Sequence, residues 1–277
     1  MPDQRTSTEL ERLIEGGSQL AGGLTGAAAG TAVAGPVGGV LGAGIGVFVQ
    51  RALHRVGNEL ARRHLAPQAE ARVGAVWILA RNTISARIMA GETHRSDDFF
   101  MDADDRRGRS PAEELLEGVF VVAEETYEER KLPYLAHLYA AFVFDAGISK
   151  DRAHQLLTMA KRLTYRELVI LASFARLSYD ERLQLLEPDA LGQEPDEALS
   201  VRTDMLSLIQ QGLAWMDSGR ASPFTPQQVK STGYEPSRAG NWLISAMRLD
   251  LIPAGECESL VVHHFRGTQP LSRLRSR

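Results

Sequence analysis

A single cysteine, Cys257, leaves no partner for an intrachain disulfide and no multi-cysteine metal site. There is no excess of basic charge either. The formal net charge is -4, which excludes whole-protein attraction to nucleic acid and leaves only local patches to consider. Arg51, Arg55, Arg62 and Arg63 make one such patch, and Arg266, Arg273, Arg275 and Arg277 another. No Gly-Lys-Ser/Thr phosphate loop occurs, so the glycines of the N-terminal part lack the lysine that phosphate cradling requires. No basic run precedes the first apolar segment. A secretory signal would place basic residues there, so export is not expected and the chain is read as cytoplasmic.

The most informative absence is that of charge between Glu15 and Arg51. Small residues fill that segment at every fourth position: Gly22, Gly26, Gly30, Ala34, Gly38, Gly42 and Gly46. On a helix this spacing gathers them roughly on one face, where missing side chains let a second backbone come close. Such a stripe is a glycine zipper. In water each glycine costs about 1 kcal/mol relative to alanine, so another environment must favour the helix. A bilayer does this by forcing the backbone to satisfy its own hydrogen bonds. About 20 apolar residues span a bilayer, and this stretch is longer, with Gly35-Pro36 at its middle. It reads as one tilted span, or as a hairpin of helices over residues 18 to 34 and 37 to 50, with a soluble packed hairpin and a disordered linker as the competing forms. After it, Leu53, Val56 and Leu60 form an apolar stripe beside Arg51, Arg55, Arg62 and Arg63, a pattern suited to an anionic membrane surface.

Hydrophobic residues at 44% and charged residues at 24% argue that most of the chain folds. The expected fold class is mainly α, in three parts. Residues 1–66 are the zipper segment with amphipathic flanks, residues 67–163 a helical domain, and residues 164–277 a winged-helix-like module with a basic tail. Helices are expected over residues 68 to 91, from Ser110-Pro111 to about Arg130, from Pro133 through Phe142, and from Lys150, capped by Ser149, to Leu163. In the last part, Thr164-Tyr-Arg-Glu-Leu reads as a first helix, Met205 to Leu213 as a third helix, and Ala214-Trp-Met as a strand. A Gly/Ser/Pro-rich wing follows, and Tyr234 to Leu243 resembles the turn and helix after a wing. The region from Glu194 to Gln211 sets one arginine, Arg202, against Glu194, Asp196, Glu197 and Asp204, so DNA is not the expected partner.

No set of residues nominates an enzyme. The loop with Asp97, Asp98, Asp102, Asp104 and Asp105 runs into Arg106 and Arg107 where a calcium loop needs alternating ligands, a glycine and a distant glutamate, so no metal and no cofactor are expected. His263 and His264 are adjacent and point apart, His137 lies on an apolar helix, and Cys257 sits between Glu256 and Glu258, which disfavour a thiolate.

Taken together, Arg95-Ser-Asp-Asp-Phe-Phe, Ser110-Pro-Ala-Glu-Glu-Leu-Leu-Glu-Gly, Glu129-Arg-Lys-Leu-Pro-Tyr-Leu-Ala and Leu163-Thr-Tyr-Arg-Glu-Leu resemble a group of uncharacterised bacterial helical proteins, over roughly residues 68 to 255. More distantly, the order of Gly-rich part, helical middle and winged-helix-like end is similar to the Abi-alpha type of phage-resistance protein. That resemblance implies a role in phage defence and carries no catalytic residues with it. The expected partners are inner-membrane lipids, further copies of the chain and a protein that senses the trigger; the competing class is a soluble interaction or regulatory protein.

Overall fold

Helix starts in this protein are set by short local signals, a proline in the first turn or a capping side chain, and most lie where the sequence places them. The computed structural model describes residues 47–61, 65–101, 108–176, 183–185, 196–216 and 233–266. The described residues are mainly helical, and the chain divides into two compact units, one ending at Arg162 and the other running from Leu163.

The first unit contains α1 (Val47–Ala61), α2 (Pro67–Met89), α3 (Pro111–Glu125), α4 (Leu132–Phe144) and α5 (Lys150–Arg162). Pro67, Pro111 and Pro133 each fall in the first turn of a helix, where a missing N–H leaves no bond unmade. Ser110 completes a capping box: its hydroxyl accepts from the Glu113 N–H at 3.3 Å, and the Glu113 carboxylate accepts from the Ser110 N–H at 3.1 Å. α3 stops at Glu125 rather than near Arg130, because Thr126 adopts an extended conformation and a separate turn, Glu129–Lys131, precedes α4. In that turn the buried Lys131 ammonium donates to the Lys161 carbonyl at 3.2 Å, which ties the turn to the last carbonyls of α5.

α4 is the centre of this unit. Leu132, Leu135, Leu138, Tyr139 and Phe142 are all shut off from solvent, and the helix packs on α2, α3 and α5. α1 lies on α3 and on the turn Asp98–Phe100, through Val49, Ala52, Leu53 and Val56, all buried. Those positions repeat at three- and four-residue intervals, as one helical face requires. The division expected at residue 66 therefore falls inside one compact unit, since α1 buries its stripe in the same core that α3 serves.

The second unit is built around α6 (Tyr165–Arg176), whose residues Tyr165 and Glu167 to Phe174 are buried. Thr164 and Glu167 form a second reciprocal cap, the Glu167 carboxylate accepting from the Thr164 N–H at 2.7 Å and the Thr164 hydroxyl from the Glu167 N–H at 3.2 Å. Around α6 lie α7 (Asp196–Gln210), α8 (Arg238–Met247) and α9 (Ala254–His264). Four short strands, β1 (Leu183–Leu185), β2 (Ala214–Met216), β3 (Gly233–Pro236) and β4 (Phe265–Arg266), form an antiparallel sheet in the order β2-β3-β1-β4. Leu183 pairs with Tyr234, Trp215 with Glu235, and Leu185 with Phe265. α8 starts hard against the preceding chain: a Cβ on Gly240 would stand 2.1 Å from the Leu213 carbonyl oxygen, so only glycine fits.

Candidate functional site

The zipper residues Gly22, Gly26, Gly30, Ala34, Gly38, Gly42 and Gly46 lie outside the described residues, as do Arg62 and Arg63. What is described is the helix into which the charge-free segment runs: Val47 to Gln50 are its last residues and the first turn of α1. α1 follows the Gly-rich segment directly in the sequence, and its attachment is the candidate site.

Two kinds of force hold this helix. The apolar stripe faces the protein interior, with Leu53 4% and Val56 2% exposed, so these two residues contact protein in this structure rather than an outer surface. At Gly57 the absence of a side chain lets α1 approach the Trp77 indole; a Cβ there would lie 3.3 Å from Nε1. The second force is charge. Arg55 donates to the Gly108 carbonyl at 2.7 Å and to the Glu113 carboxylate at 3.3 Å, while Arg109 pairs with both Glu59 of α1 and Glu117 of α3. Arg51 is exposed. Of the four arginines read from the sequence as a membrane-facing patch, Arg55 is thus engaged within the protein, and its partner Glu113 is a buried carboxylate that also completes the α3 cap.

The sequence gives no sign of this clasp. Arg55 and Glu59 lie some fifty residues before Arg109, Glu113 and Glu117, and only Glu113 carries a local signal, the capping-box spacing from Ser110.

The Arg95 stretch has a structural role. Buried Arg95 donates to the Phe142, Asp145 and Ile148 carbonyls at 3.3, 3.2 and 2.8 Å, closing the C-terminal end of α4, and its guanidinium lies over the Phe99 ring at 4.4 Å. Its other edge takes up Asp97 as a fork, one bond measuring 2.7 Å. Hydrogen bonding from Arg95 holds the Asp97 carboxyl below the usual carboxylate range. Asp97 is therefore spent on an arginine, and no group of three or more metal-ligating side chains occurs among the described residues. Asp102, Asp104 and Asp105 lie outside them. Tyr139 donates to the Ala112 carbonyl at 3.3 Å, and burial, with Glu113 adding to it, pushes its phenol well above the ordinary range.

In the second unit, Cys257 is buried against α6, and that burial, more than its acidic neighbours, raises its thiol pKa. The Arg176 guanidinium 3.2 Å from the sulfur opposes the rise. Arg202 is 5% exposed, so the one arginine of α7 lies inside the unit rather than on a surface that could meet DNA. Trp215 on β2 and Trp242 on α8 are open to solvent, 60% and 37% exposed, and Arg238 stacks over the Trp242 ring at 5.0 Å. No helix among the described residues is long and apolar enough to cross a membrane. The chain matches no protein-family model, no curated protein and no solved structure.

Proposed function

We propose that this protein is a membrane-associating effector whose glycine-rich segment, residues 16 to 50, packs backbone to backbone at the inner membrane while the helical unit holds its root. The observation that carries the reading is the uncharged run with small residues at every fourth position, which has no advantage in water and a clear one in lipid. The clasp on α1 supports it, since a segment anchored by apolar contacts and ion pairs at its C-terminal end can pass on a change in the unit that holds it. Identical zipper faces pack on one another, so homo-oligomers follow from the same chemistry. The likeness to the Abi-alpha type adds phage defence by damage to the membrane as the biological setting. As a test, Gly26→Leu combined with Gly42→Leu should abolish toxicity on expression while the helical unit keeps its circular dichroism; undiminished toxicity refutes zipper packing as the cause.

A second reading is favoured by one group of observations in the second unit. Its order of helix, strand, helix, strand and strand, with β3 between β1 and β2, supports a winged-helix-like module. The exposed Trp215 and Trp242 suit a contact with another protein, because interfaces favour large aromatic rings. On this reading the protein is a soluble interaction or regulatory protein. Fractionation separates the two: protein wholly in the supernatant before and after phage challenge favours the second, and protein sedimenting with inner membranes favours the first.

A further inference from the structure

We infer that α1 is a latch with two alternative seats, the side of α3 and an anionic lipid surface, and that the carboxylates Glu113 and Glu117 hold it in the first. The inference rests on the membrane reading above and adds to it how exposure of the segment is controlled.

α1 has the composition of a helix that binds anionic lipid. It carries Arg51 and Arg55 against one acidic residue, Glu59, with Arg62 and Arg63 next in the sequence, and the apolar positions Val49, Ala52, Leu53 and Val56 fall on one face. In this structure that same face is covered by α3. The seat reproduces what a lipid surface would offer. It joins an apolar surface to the Glu113 carboxylate, which receives Arg55 as a lipid phosphate would. The one unfavourable charge of α1 toward an anionic surface, Glu59, is neutralised here by Arg109, which Glu117 holds in place. A helix face can serve only one seat at a time, so anionic lipid and α3 compete for it.

The attachment suits exchange. Among the described side chains of α1 the buried ones are Val49, Ala52, Leu53 and Val56, whereas the central α4 buries leucines and aromatic rings. Beneath α1 the Trp77 Nε1 is buried without a hydrogen-bond partner, beside Gly57. An unsatisfied indole N–H is a cost of the docked state that lifting α1 into lipid removes by admitting water.

Trp77 also supplies the test, because the chain has three tryptophans and Trp215→Phe with Trp242→Phe leaves it alone. The full chain carrying those two changes is titrated with vesicles of phosphatidylglycerol and, separately, of phosphatidylcholine, while Trp77 emission and cosedimentation are followed. The latch predicts a red shift of Trp77 with phosphatidylglycerol only. Glu113→Gln with Glu117→Gln, in which glutamine preserves the capping-box geometry, should lower the lipid needed for half the shift by about tenfold, the scale of a lost charged hydrogen bond. Glu117→Gln alone, with the α3 cap untouched, should move it in the same direction by less. Cosedimentation with no change in Trp77 emission overturns the latch and leaves the zipper's membrane role standing. Neither cosedimentation nor a shift overturns both, and an equal lipid requirement in folded Glu117→Gln protein overturns the role of the carboxylates.

Discussion

α4 and α1 belong to the same unit and are held by different physics. α4 is apolar on nearly every side, with Leu132, Tyr134, Leu135, Leu138, Tyr139 and Phe142 buried, and its C-terminal end is closed by Arg95. α1 buries one stripe among its described side chains, and ion pairs of Arg55 and of Glu59 with Arg109 add to that hold. A helix buried all round has no alternative environment in water, whereas an amphipathic one exchanges one apolar surface for another at little cost. The contrast separates a helix buried on nearly every side from one held on a single face.

Substitutions that strip apolar contact test the contrast most strongly. Leu135→Ala in α4 should destabilise the whole first unit by about 2–5 kcal/mol, read as a lower urea midpoint shared by every probe of that unit. Leu53→Ala in α1 should cost less, toward about 2 kcal/mol, because a peripheral helix settles more readily into the space left. Its effect should be local: faster amide exchange in α1 with little change in α4. Equal losses, or global unfolding from Leu53→Ala, would remove the distinction between the two helices.

The smallest expected effect lies at the Arg95–Asp97 pair that closes α4. Arg95 lowers the Asp97 pKa in the folded chain, so the pair's contribution is complete above the unfolded carboxylate value of about 3.9 and is lost as pH falls through the folded value. Asp97→Asn should thus be less stable than the parent at pH 7, with the gap shrinking below about pH 4. The size stays modest because the Asp97 side chain is 36% exposed and solvent screens it. A gap unchanged down to strong acid would show that the carboxylate's charge contributes nothing.

Helix starts were legible because their causes are local. Ser110-Pro111 opens α3, Pro133 lies in the first turn of α4, and Ser149 accepts from the Arg152 N–H at 3.3 Å at the head of α5. The end of α3 was not legible, since the residues from Thr126 to Lys131 contain no glycine or proline and their turn depends on Lys131 reaching across to Lys161. Arg95 shows the same limit: its carbonyl partners at Phe142, Asp145 and Ile148 lie far along the chain. The stripe of α1 was legible as amphipathic, but periodicity alone does not say whether protein or lipid covers it. The burial of Arg202 was invisible for a related reason, as a lone arginine on a helix is read by composition as surface charge. The glycine register, which falls outside the described residues, stands on the sequence alone.

Hydrogen exchange across residues 18 to 50, with and without phosphatidylglycerol vesicles, bears most directly on the account. Close backbone packing shielded from water predicts slow exchange throughout that stretch once lipid is present. Fast, unprotected exchange in both conditions would contradict it.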